Sequence, residues 1–173
     1  MGRQRSGPNS TPQYAMPQTT PASVAGVLEC VRVLGTEVKG IPPEARVIAL
    51  PLDDPIEVGR SHQLGFFESL LQAEPQWLSF ISRTHCRVQL LHGSPGAAAG
   101  VAAASAPAGS KYWLWVENLS SNPVFVRGRP LAKGKGDSVL DGDTLAFVAV
   151  GTTGEETTFL ELRLRRARYN SGG

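Results

Sequence analysis

Between Phe80 and Val88 the sequence reads FISRTHCRV, in which Ser82, Arg83, Thr84, His85 and Cys86 all carry groups capable of attack, proton transfer, ligation or binding. Nucleophilic catalysis needs a base on the nucleophile and an acid that orients the base. Ser82 lacks a GxSxG setting, and so does the Ser61-His62 pair of GRSHQ, whose members are neighbours in sequence with no assigned acid. Metal ligation has few donors to draw on, with two cysteines and three histidines in the chain. His85 and Cys86 are adjacent, so on a strand they point to opposite faces. KGKGDS lacks the GxxxxGK[ST] spacing of a phosphate loop and reads as a solvated turn. The Asp141-Gly142-Asp143 run lacks the ligand spacing of a calcium loop and reads as a tight turn before a strand. The strand lysine, catalytic-loop and metal-binding carboxylates of a kinase are missing too. These residues predict no enzyme, no metal and no cofactor. Asn118-Leu119-Ser120 fits a glycosylation sequon, which matters only in a secreted protein.

The bulk properties narrow the alternatives. The 173 residues suffice for one domain with a proper core. A formal charge of +2 is too small to argue for a nucleic-acid or membrane-surface binder. Cys30 and Cys86 could form at most one disulfide, which favours a reducing, intracellular setting, cytoplasmic or nuclear. No apolar run is long enough to cross a bilayer, and no signal-peptide core is visible.

Residues 1–24 are rich in Pro, Ser, Thr and Gln and poor in large aliphatics, which predicts a disordered arm. The domain then runs over 25–167, with a flexible Ala/Gly-rich loop at 92–110 and a disordered tail at 168–173. Inside it the hydrophobic period is two. VLECVRVLG sets Leu28, Cys30 and Arg32 against Val27, Glu29, Val31 and Val33, and TTFLELRLRR alternates Leu160, Leu162 and Leu164 with Phe159, Glu161, Arg163 and Arg165. ARVIALP, PIEVG, HCRVQLL, KYWLWVEN, PVFVRG and DTLAFVAV are further strands, with Trp113, Trp115 and Phe125 as core or cross-strand aromatics. GFFESLLQAE breaks the pattern: Phe66, Phe67, Leu70 and Leu71 share a helical face. Many short strands with regular turns predict an all-β antiparallel sandwich, carrying one short helix within an insert at 61–80.

Three polar turns then stand out: Gly59-Arg60, the Ser82–His85 stretch, and Ser121-Asn122. An antiparallel sandwich gathers alternate loops at one end, so a guanidinium, a hydroxyl and a carboxamide can converge there. That set suits a phosphorylated residue on a peptide, with about −1.5 to −2 charges and three acceptor oxygens. A carboxamide can also hold an extended peptide backbone, because it donates and accepts.

The order Gly-Arg, Ser-x-x-His, Ser-Asn, the glycine of VRGRPL and the Gly-Asp of LDGDTLAF resembles the forkhead-associated domain over roughly Val27 to Arg166. The resemblance implies an eleven-stranded sandwich, of the same broad type as SMAD domains, that binds phosphothreonine peptides through loops at one end. It implies contacts from Arg60, Ser82, Arg83, Thr84, Ser121 and Asn122, with Gly59 and His85 supporting the site. The partner is then a phosphothreonine-containing protein in signalling, not a small molecule or nucleic acid, and the isolated domain is a monomer. Two departures stand against the pattern. Asn122 is followed by Pro123 where the family usually has glycine, and the insert lengthens the path from Arg60 to Ser82. They motivate a second expectation, a phosphate-independent scaffold or self-association domain. A third is the targeting or regulatory domain of a larger enzyme such as a kinase.

Overall fold

A computed structural model describes residues 24–93 and 112–166, so the expectations for the N-terminal arm, most of the 92–110 loop and the C-terminal tail fall outside the described residues. Ten strands form there, one fewer than the resemblance implies: β1 Val24–Val33, β2 Val47–Pro51, β3 Pro55–Val58, β4 Cys86–His92, β5 Tyr112–Asn118, β6 Val124–Val126, β7 Arg129–Leu131, β8 Gly136–Leu140, β9 Thr144–Val150 and β10 Glu156–Arg166. They make a six-stranded sheet in the order β2-β1-β10-β9-β6-β7 and a four-stranded sheet in the order β3-β4-β5-β8. Every pairing between these strands is antiparallel.

The period-two pattern decides which face is covered. Leu28, Cys30, Leu50, Leu145, Phe147, Leu160 and Leu162 from the larger sheet meet Val58, Cys86, Val88, Leu114, Val116 and Val139 from the smaller one. Arg32 departs from the expected alternation. A register shift between Cys30 and Arg32 changes the phase of β1, so Val33 is buried while Arg32 turns outward onto Glu161 at 3.4 Å. β7 and β8 were not expected. The second half of KGKGDS is the start of β8 rather than a solvated turn, and Gly136 there leaves room for the Trp115 indole.

Two hairpin turns use positive φ. Arg127 and Gly128, at φ 50° and 75°, join β6 to β7 in the two-residue geometry whose twist suits an antiparallel pair. The Asp141-Gly142 turn leads into β9 as expected, with Gly142 at φ 91° and the Asp143 carboxylate accepting the Leu140 N–H at 3.0 Å.

The insert between β3 and β4 is more broken than its sequence pattern. An α-helix, α1, spans only Phe66–Leu70, and a 3₁₀ segment follows at Pro75–Phe80. Pro75 cannot continue the helix and pushes Glu74 out of the helical region. The apolar face survives the break. Phe67, Leu70 and Leu71 are fully buried. Phe67 meets Phe147 edge-on at 5.9 Å, and Trp77 stacks on Phe159 at 5.5 Å with 6° between the planes. The insert leaves the smaller sheet and packs against β9 and β10 of the larger one, so it is part of the core rather than an appendage. Replacing Phe67 by Ala is expected to destabilise the fold by about 3–5 kcal/mol. Urea denaturation checks this, and a loss below about 1 kcal/mol would mark the insert as peripheral.

Candidate functional site

The strand register brings the three polar turns to one end. Val58 pairs with Cys86, Cys86 with Asn118, and Glu117 with Gly136, so the end of β3, the start of β4, the end of β5 and the start of β8 form one row. The β3–β4, β5–β6 and β7–β8 connections therefore leave the sandwich together. A narrow cleft lined by Leu90, Tyr112, Asp141 and Leu164 lies at the opposite end.

Main-chain bonds tie the first two turns to each other. The Arg60 N–H donates to Ser82 O at 3.1 Å and the Ser61 N–H to Arg83 O at 3.0 Å. Gly59 is required at the crossing. A Cβ there would lie 2.7 Å from the Arg83 carbonyl carbon and 2.8 Å from the His85 nitrogen, closer still to the Arg83 oxygen. The Gln63 carboxamide closes the turn, accepting from Gly59 N at 2.8 Å and donating to Glu57 O at 3.0 Å. Arg60 points its Nε at Ile81 O, 2.6 Å away, which braces the loop that carries Ser82.

His85 supports that loop from inside. It is 1% exposed and its Nδ1 accepts the Ser82 N–H at 3.1 Å. An accepting Nδ1 carries no proton, so the ring is the neutral Nε2–H tautomer, with Nε2 buried and unpartnered among the described residues beside the Phe147 ring at 4.9 Å. Burial pushes its pKa down to about 4. This placement fits the supporting role that the resemblance implies for His85.

The third turn joins through side chains. Ser82 Oγ lies 2.6 Å from Ser120 Oγ, and Ser120 Oγ also accepts the Asn122 N–H at 3.0 Å. Asn122 donates its carboxamide N–H to Phe80 O at 2.9 Å, leaving its Oδ1 without a partner among the described residues. Ser121 is exposed, Thr84 is half-buried with its hydroxyl 2.8 Å from His62 Nε2, and Arg83 is exposed. The structure thus brings Arg60, Ser82, Thr84, His85 and Asn122 into one bonded set. Ser121 and the side chain of Arg83 stand at its rim.

Two residues of the set were not expected. Ser120, 3% exposed, makes the contact to Ser82. Asn118, 1% exposed, donates to Leu131 O at 2.8 Å and to Asn122 O at 3.3 Å, and accepts from Ser120 N at 2.9 Å. It holds β7 and the β5–β6 turn at once. So buried an amide cannot serve as the glycosylation acceptor that its sequon suggested. A polar residue ending an otherwise apolar-inward strand was the available signal.

Of the six described cations without a carboxylate within 4.0 Å, four lie at this end, the others being Lys39 and Arg163. Arg32, Arg46, Arg87, Arg127, Arg129, Arg165 and Arg166 each meet a carboxylate within 4.0 Å. Arg60, Arg83, Lys133 and Lys135, all on connections at this end, meet none among the described residues. The set can offer a guanidinium, hydroxyls and turn amides to an anion. Ser120 can give its proton to Ser82, which leaves the Ser82 hydroxyl proton for an outside acceptor. No group of three metal-binding side chains occurs among the described residues, and no described helix is long and apolar enough to cross a membrane. Cys30 and Cys86 are free and buried, their thiols pushed up to about 11 and about 12 chiefly by burial.

No protein-family model and no curated protein match the sequence. Solved structures do. The yeast Dun1 FHA domain, in complex with a doubly phosphorylated peptide derived from Rad53, is 19% identical, with a TM-score of 0.50 over 100% of this chain and 89% of that one. The N-terminal FHA domain of S. cerevisiae Rad53p, in complex with a phosphothreonine peptide, is 17% identical over 83% of this chain and 94% of that one, with a TM-score of 0.46. The FHA domain of an Arabidopsis thaliana hypothetical protein is 16% identical over 88% and 93%, with a TM-score of 0.47. The fold is that of the forkhead-associated domain.

The histidine makes a prediction of its own. Its folded pKa lies below its unfolded value of 6.5, so its contribution to stability is complete above pH 6.5 and is lost as pH falls toward 4. Denaturation at pH 7 and pH 4.5 is expected to show a drop of roughly 1 kcal/mol per pH unit in that window from this residue. A His85→Gln variant should lose that part of the slope. An equal slope in both proteins would remove His85 as its source.

Proposed function

We propose that the chain is a phosphothreonine-dependent peptide-binding module that mediates reversible protein–protein contacts in intracellular signalling, and that it has no catalytic activity of its own. The observation that carries this reading is the convergence of Arg60, Ser82 and Asn122 in one hydrogen-bonded set whose flanking cations lack carboxylate partners. In this reading Arg60 and the Ser82 hydroxyl take phosphate oxygens, and Arg83 adds charge and a backbone N–H at the same loop. Thr84 lines the phosphate, Ser121 lines the peptide, and Asn122 meets the peptide backbone. A threonine phosphate satisfies these donors with charge-assisted bonds.

Three or four such bonds, at about 1.5–3 kcal/mol each, must offset association costs of roughly 4–15 kcal/mol. Micromolar affinity, near about −8 kcal/mol, is the expected scale. Binding is expected to weaken with added salt, since exposed cations are screened over about 8–10 Å.

One observation favours a second reading, a phosphate-independent scaffold. One of the two carboxamide N–H donors of Asn122 that would hold a peptide carbonyl is already given to Phe80 O, in the register where Pro123 replaces the usual glycine. Its second carboxamide N–H and its free Oδ1 leave the clamp a donor and an acceptor in the first reading.

The test is a titration with phosphothreonine peptides and their unphosphorylated counterparts. Wild type should prefer the phosphorylated form, and Arg60→Ala or Ser82→Ala should weaken binding by about 2 kcal/mol or more, a thirtyfold loss. Equal binding of both peptides, with Arg60→Ala unchanged, would favour the scaffold.

A further inference from the structure

The GRSHQ turn contributes a side chain to which the phosphate-binding scheme gives no task. His62 Nε2 lies 2.8 Å from Thr84 Oγ1 and 3.1 Å from Glu57 Oε2. Glu57 sits on β3, is held by Arg87 at 3.3 Å, and Arg87 reaches Glu117 at 3.7 Å. A line of polar contacts therefore runs from the outer face of the smaller sheet to the Ser82–His85 turn.

The chemistry of that line favours one tautomer of His62. A carboxylate can only accept, and a bare Nε2 at 3.1 Å from it would set two lone pairs against each other. A proton on Nε2 removes that clash although the ring N–H points to Thr84 rather than to Glu57, so the carboxylate favours this tautomer. That N–H is directed at Thr84 Oγ1, which makes the threonine oxygen an acceptor from behind. Thr84 Oγ1 has no other partner among the described residues, so its own proton is free to point out of the loop. A phosphate monoester carries only acceptor oxygens once ionised, and a hydroxyl serves it only when its proton faces outward. Ser82 stands in the same relation to Ser120, with a second hydroxyl behind it.

We infer that Glu57 and His62 are positioning residues that orient the Thr84 hydroxyl as a donor to the phosphate. This rests on the phosphopeptide reading of the site and adds a third side-chain donor to it, beside Arg60 and Ser82. Neither Glu57 nor His62 touches the ligand. They act through Thr84.

The alternative makes the opposite forecast. If Glu57 were only a nearby negative charge, its removal would relieve repulsion of the phosphate and tighten binding. If it orients Thr84, its removal weakens binding, because a carboxamide can donate as well as accept and no longer favours the proton on Nε2. The experiment is a double-mutant cycle of Glu57→Gln and Thr84→Val, read by calorimetric titration of a phosphothreonine peptide that wild type binds. Thr84→Val is expected to weaken binding roughly ten- to 150-fold, the range of one hydrogen bond to a charged group. Glu57→Gln should weaken it in the same direction. The double variant should bind no worse than Thr84→Val alone. Tighter or unchanged binding by Glu57→Gln, or losses that multiply in the double variant, overturns the inference. Nitrogen-15 shifts of the His62 ring give a second reading that needs no peptide: a proton on Nε2 in wild type supports it, and a bare Nε2 overturns it. Arg60→Ala separates the two levels. If it abolishes binding while Glu57→Gln does not weaken it, the positioning role is wrong and the site reading stands. If Arg60→Ala binds as wild type does, both fall.

Discussion

A loop amide has no sheet partner, and a buried one must find another acceptor or cost free energy. The Ser82 N–H finds Nδ1 of His85, 3.1 Å away inside the sandwich. The rest of the site follows from that bond. It holds Ser82 in the row where β4 begins, where the Arg60 and Ser61 amides can reach the carbonyls of Ser82 and Arg83. It requires an unprotonated Nδ1, which burial provides by disfavouring the imidazolium. The same ring anchors outward through its backbone, since His85 N donates to Val58 O at 2.8 Å and Leu119 N donates to His85 O at 2.9 Å. One buried residue thus joins the β3–β4 and β5–β6 connections. Asn118 does the same for the β7–β8 side, accepting Gly134 N at 2.6 Å through its own carbonyl.

The loops are therefore preorganised by groups that face the core, and the groups that face outward are left with donors to spend. This division explains why the insert matters although Arg60, Ser82 and Asn122 all lie outside it. Its aromatic side chains seat it against Phe147 and Phe159, and its last residue, Phe80, and the following Ile81 present carbonyls to Asn122 and Arg60. A long insert with poor packing would have left those carbonyls, and both site residues, without a fixed position. The entropy of ordering the loops is met when the core forms rather than when a ligand arrives.

Much of this was legible in the sequence, for a definite reason. Period-two alternation in β1, β4, β5, β9 and β10 reports which face is buried, and a sandwich is the usual way to bury two such faces. The turns at Gly59-Arg60 and Asp141-Gly142 carried local signatures of close approach and positive φ. What was hidden depends on contacts far apart in the chain. The register shift after Cys30 that turns Arg32 outward is set by pairing with β10. β7 and β8 are short, and their charged residues disguise strands completed by partners in both sheets. Ser120 rather than Ser121 meets Ser82, because Asn118 sets the phase of that turn, and no property of two adjacent serines distinguishes them beforehand. The engagement of Asn122 with Phe80 spans 42 residues and arises only once the insert folds back.

The central claim is that these connections form one anion-receiving mouth for a phosphorylated threonine. Amide shifts of the isotopically labelled protein, followed as a phosphothreonine peptide and its unphosphorylated twin are added in turn, address it most directly. The account predicts movements concentrated at Arg60, Ser82 to Thr84 and Ser121-Asn122, produced by the phosphorylated peptide alone. Equal movements with both peptides, or movements centred on the outer strands β1 and β10, would contradict it.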